Sequence, residues 1–163
     1  MKWILSLLVV LTVLPATAQQ YQYQNLKLGM TLDQAKSALL IHYAEQQIGC
    51  FVDGPYQHWC AAYQTFGHRP VRGYRGDLTK VPSVTVRFGK TSNRVCDIKV
   101  SDPITPFEVF RSPVVRANGD PKSVEEDGND LQWGAEAFSG GEWMHVYQDG
   151  GSSYLEISSK TYR

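Results

Sequence analysis

The chain has 163 residues, with 16 Lys+Arg against 16 Asp+Glu, 42% hydrophobic and 20% charged. That is globular composition and excludes a disordered chain. The zero net charge and a pI near 6.9 exclude a nucleic-acid binder, which needs a basic surplus to neutralise phosphates.

Lys2 gives a short positive start, and Trp3–Leu14 is an apolar run broken only by Ser6 and Thr12. Pro15 then leads into Ala16-Thr17-Ala18, the small-x-small pattern that a signal peptidase cuts. The run falls short of the roughly 20 apolar residues that span a bilayer. Residues 1–18 are therefore expected to be a cleaved signal peptide and residues 19–163 a single α+β domain, periplasmic or secreted. Cleavage after Ala18 leaves 145 of the 163 residues, enough for a core of ordinary size. No cysteine follows the cleavage site to carry a lipid, so no membrane anchor is expected afterwards. No Asn-x-Ser/Thr acceptor occurs, which favours a bacterial periplasm over a eukaryotic secretory route.

Along the mature chain, Thr31-Leu32-Asp33-Gln34 is a capping box. The helix it opens is expected to run through Ala35, Leu39 and Tyr43 and to stop near Gly49. Cys50, Cys60 and Cys96 allow three single disulfides. Cys50–Cys60, closing a turn-rich stretch around Gly54-Pro55, is favoured, with an intermolecular bond through Cys96 as the alternative. A weaker strand is expected over His58–Phe66, followed by a basic loop at 68–80 that carries Arg69, Arg72, Arg75 and Lys80 against Asp77.

Val84, Val86 and Phe88 then alternate with Thr85 and Arg87, and after a turn Cys96, Ile98 and Val100 alternate with Asp97 and Lys99. Parity points Cys96 into the core and Thr85, Arg87, Asp97 and Lys99 outward. A second helix is expected from Thr105-Pro106-Phe107-Glu108, with Ser112-Pro113 restarting it and Asn118-Gly119-Asp120-Pro121 ending it. Strands follow at Leu131–Gly134, Trp143–Gln148 and Tyr154–Ser158, with another near Lys122–Glu126. The order helix, strands, helix, strands predicts two helix-on-antiparallel-sheet units in tandem, about 26–101 and about 102–163.

Leu28-Gly29-Met30-Thr31 followed by Asp33-Gln34 resembles the opening motif of the SmpA/OmlA and β-lactamase-inhibitor-like exported proteins. Asn118-Gly119-Asp120-Pro121 followed by Leu131-Gln132-Trp133-Gly134 is similar to the helix-end and strand pattern of the same group. The resemblance implies an exported α+β module in which a helical pair packs on an antiparallel sheet and the exposed sheet face binds a partner. The chain departs from it in lacking a lipidated N-terminal cysteine and in having Gly49-Cys50 where Gly-x-Pro is expected. An assembly-machine role is not implied.

Motifs of chemistry are sparse. The chain has no Gly-x-Ser-x-Gly elbow, no His-Glu-x-x-His, no complete phosphate-cradling Gly-x-x-x-x-Gly-Lys-Ser/Thr loop (Gly89-Lys90-Thr91 has Val84 in place of the first glycine) and no Cys-x-x-Cys. His58, Cys60, Cys50 and His68 suit zinc only as thiolates, which an oxidising compartment converts to a disulfide. Glu126-Asp127-Gly128-Asn129-Asp130 lacks the ligand spacing of a calcium loop and reads as a hairpin turn. No catalytic residue, metal or cofactor is assigned.

The stronger signal is on the sheet. If Met144, Val146, Leu155 and Ile157 face the core, then Trp143, His145, Tyr147 and Tyr154 face away. With Arg87, and with Trp133 as a rim candidate although it shares parity with Leu131, they make the candidate contact surface for another envelope protein. Cross-strand packing alone also accounts for such aromatic pairs. The competing functional expectation is a small envelope hydrolase, or an accessory factor that binds an acidic polymer through loop 68–80.

Overall fold

The computed structural model describes residues 20–52, 58–63, 80–134 and 141–163. The expected signal peptide lies outside these residues, as do Arg69, Arg72 and Arg75 of the basic loop. A two-stranded hairpin, β1 (Gln22–Tyr23) and β2 (Leu26–Lys27), opens the described chain. It is followed by helix α1 (Leu32–Leu40), strands β3 (Ile48–Val52), β4 (His58–Tyr63), β5 (Ser83–Phe88) and β6 (Val95–Asp102), and helix α2 (Phe107–Asn118). Strands β7 (Ser123–Val124), β8 (Asp130–Gly134), β9 (Glu142–Asp149) and β10 (Ser152–Ser159) complete it.

The expectation of two tandem helix-on-sheet units is overturned. Among the described residues, one antiparallel sheet of eight strands runs β3-β4-β5-β6-β10-β9-β8-β7, and the structure is mostly β with two α-helices. Its centre is the pairing of β6 with β10, from Asp102↔Ser153 to Asp97↔Ser158. Separate units would leave these two long, Val/Ile/Leu-bearing strands as exposed edges; pairing them removes both. Alternation within each strand was readable, but nothing local to a strand specifies which distant strand it joins.

Two rows of side chains cross the sheet on the core side. One runs Cys60, Val86, Ile98, Ile157, Met144, Trp133 and the other Ala62, Val84, Val100, Leu155, Val146, Leu131. All are buried, and they join Ala35, Ala38 and Leu39 of α1 and Phe107, Phe110 and Val114 of α2 in one apolar cluster. Each large aliphatic side chain in it contributes about 1.5–3 kcal/mol by leaving water.

The helix ends explain where the sequence reading slipped. Thr31 and Gln34 form the expected reciprocal cap, Gln34 N to Thr31 Oγ1 at 3.3 Å and Thr31 N to Gln34 Oε1 at 2.9 Å. The helix nevertheless stops at Leu40, well before Gly49, and a short 3-10 turn at Glu45–Gln47 leads into β3. Gly49 is a strand residue, and a Cβ there would come within 2.8 Å of the Phe51 ring. Helix α2 runs unbroken through Pro113, and no Thr105 cap forms. Asp102 Oδ1 instead accepts from the amides of Ile104 and Thr105, at 3.0 and 2.9 Å. Asn118, buried at the end of α2, clamps the first hairpin by exchanging hydrogen bonds with the backbone of Gln22.

Candidate functional site

The face opposite the helices carries three cross-sheet rows. The first is Phe51, Trp59, Arg87, Asp97, Ser158, Trp143. The second is Ala61, Thr85, Lys99, Glu156, His145, Gln132, and the third Tyr63, Ser83, Ser101, Tyr154, Tyr147, Asp130. Four of the expected contact residues, Trp143, His145, Tyr147 and Tyr154, therefore share one face with Arg87.

They also touch. His145 stacks on Tyr147 with ring centroids 4.5 Å apart, Tyr147 stacks on Tyr154 at 5.1 Å, and Trp143 tilts against His145 at 6.4 Å. All four are half-buried, each keeping part of its ring open. Asp130 reaches diagonally across from β8, its Oδ2 2.7 Å from His145 Nε2, and fixes the imidazole in the stack. Burial, then the carboxylates of Glu156, Asp149 and Asp130 and the Tyr154 ring, push the Tyr147 phenol above its ordinary value, so it stays a neutral donor. Beside the stack, Glu156 sits between His145 on one neighbouring strand and Lys99 on the other, and pairs with Lys99 Nζ at 2.9 Å.

A second aromatic pair lies at the far end of the first row. Phe51 and Trp59 stack at 4.6 Å, held by the Cys50–Cys60 disulfide directly between their strands. The favoured disulfide is thus present, as a cross-strand bridge in addition to a loop closure. Sequence reading missed this pair because β3 was not expected; the parity of Trp59 with Ala61, opposite Cys60, was the available signal.

Trp133 does not belong to the surface. It is 4% exposed in the core row, and its indole Nε1 donates to Gly119 O at 2.9 Å. Parity had placed it correctly and the rim assignment is corrected. Cys96 is buried but absent from the helix-side cluster. A register shift at Arg87/Phe88 brings Val95 opposite Phe88, and Cys96 is the extra residue. Lys80 is exposed.

His145 and Asp130 form a His–carboxylate pair, but His145 has no hydrogen bond from a described Ser, Thr or Cys side chain that would serve as a nucleophile. No group of three or more metal-ligating side chains occurs among the described residues. None of their helices is long and apolar enough to cross a membrane. No protein-family model, curated protein or solved structure matches this chain.

Proposed function

We propose that this is an exported, non-enzymatic binding module that contacts another envelope protein through the Trp143–His145–Tyr147–Tyr154 face. The observation that carries the reading is a row of four half-open rings, the stacked His145, Tyr147 and Tyr154 with Trp143 tilted against His145, on the sheet face away from the core. Rings held by their neighbours and by Asp130 lose little freedom when covered, so the area they bury is converted efficiently into affinity. Cross-strand packing stabilises such rings without covering them; both described helices occupy the other face, so the rings stay half open. The Cys50–Cys60 disulfide suits an oxidising compartment, periplasmic or extracellular.

Site-specific photo-crosslinking tests this. A benzophenone side chain replacing Tyr147 is expected to trap one protein in envelope preparations. The same group replacing Val109, which is exposed on α2, is expected to leave that protein uncaptured. Equal trapping from both positions would remove the face from consideration.

A further inference from the structure

The turn between β5 and β6 and the C-terminal segment enclose a cleft of about 500 Å³ beside the aromatic face. Its walls include Arg87, Lys90, Cys96, Asp97 and Arg163. The cleft is built into the fold by a close approach at Gly89. A Cβ there would lie 1.6 Å from the Tyr162 carbonyl oxygen, so only glycine lets the C-terminal segment cross the turn. Ser92 Oγ donates to that same carbonyl, and Arg163 donates from Nη2 to Ser158 Oγ at 3.2 Å. Those bonds hold the Arg163 guanidinium at the cleft wall.

Asp97 is the unusual member. It is only 9% exposed and belongs to none of the ion pairs between described residues, Lys99–Glu156, Arg111–Glu108 and His145–Asp130, although Arg87, opposite it on β5, Lys99 and Arg163 lie near enough to act on its charge. Arg87 and Lys90 are likewise left without a described carboxylate within 4.0 Å. A carboxylate that is mostly buried loses hydration and is stabilised when a donor reaches it. The bulge at Cys96 explains its position, since the inserted residue turns this end of β6 toward the cleft. Cys96 itself is occupied, its Sγ 3.5 Å from Arg87 O.

The cleft therefore offers two complementary features: cationic groups on its walls and one recessed carboxylate. A simple anion satisfies the cations but meets Asp97, and a simple amine does the reverse. A small molecule with both an ammonium and a carboxylate satisfies both. We infer that this cleft binds a zwitterion of the α-amino-acid class, its carboxylate on Arg87, Lys90 and Arg163 and its ammonium on Asp97. The inference does not depend on the protein-partner reading, because none of the four stacked rings lines the cleft.

Amide NMR titration with glycine, acetate and methylammonium as separate probes tests it. Glycine is expected to shift the amides of Gly89, Lys90 and Asp97 saturably, with acetate and methylammonium each binding about tenfold more weakly or worse. Arg87→Gln weakens glycine, and Asp97→Asn removes the preference for glycine over acetate; the spectra themselves report that each variant is folded. Trp143→Ala/Tyr147→Ala leaves the glycine titration unchanged, which separates this site from the aromatic face. No saturable glycine shift at these amides, or acetate binding as tightly as glycine, overturns the inference.

Discussion

Asp130 and His145 meet diagonally across β8 and β9, Oδ2 to Nε2 at 2.7 Å, at the head of a stack that continues through Tyr147 to Tyr154. The carboxylate thus acts on the ring surface through the imidazole that it orients. Replacing it leaves the aromatic area in place but frees the ring. Asp130→Asn is accordingly expected to weaken partner binding modestly, by a few-fold, while changing stability by about 1 kcal/mol or less. Calorimetric titration beside chemical denaturation checks both; a stability loss as large as that of a core truncation would make Asp130 structural.

The two tryptophans that the sequence grouped together should behave oppositely. Trp133 is enclosed in the core and hydrogen-bonded, so Trp133→Ala is expected to cost about 3–5 kcal/mol. Trp143 is half open, and Trp143→Ala should cost about 1 kcal/mol or less. Urea unfolding of the two variants measures the difference, and comparable losses would contradict the assignment of faces.

That contrast shows what was legible in the sequence. Period-two alternation put Met144, Val146, Leu155 and Ile157 inside and their neighbours outside, because side-chain direction is a local property of a strand. Pairing partners are not local. The β6–β10 join depends on strands brought together from afar, whereas the Phe51–Trp59 stack and the Asp130–His145 contact depend on the register between consecutive strands, one of which, β3, carries no clear alternation. Cys96 is buried as alternation expects, but it lies outside the helix-side cluster because it is the bulged residue, and a bulge shifts the parity of what precedes it.

The Cys50–Cys60 bridge ties edge strand β3 to β4 across ten residues of chain. Reduction, or a Cys50→Ser/Cys60→Ser variant, is expected to lower stability by about 2–3 kcal/mol. Thermal unfolding with and without reductant reads this. Cys96, buried and with its thiol pushed up by burial and by Asp97, should resist alkylation until the chain unfolds. Rapid labelling of Cys96 in the folded protein would contradict its placement.

Burial raises Asp97 above its ordinary value of 3.8, with Glu156 adding to the rise and Lys99, Arg87 and Arg163 opposing it. The folded state therefore holds this proton more tightly than the unfolded chain does. The resulting stabilisation is complete below 3.8 and is lost as pH rises through the raised folded value. Asp97→Asn cannot ionise, so relative to wild type it should gain stability between acid and neutral pH. Paired denaturation curves across that range check the sign; a variant that loses ground as pH rises would show that ionised Asp97 is stabilised in the fold.

The central claim is that the stacked aromatic face binds a protein partner. Its most direct measurement is the dissociation constant of the protein trapped at position 147, compared between wild type and a folded Trp143→Ala/Tyr147→Ala variant. The account predicts at least about a hundredfold weakening, as for the loss of two central aromatic anchors. An unchanged constant would contradict it and leave the four rings as packing alone.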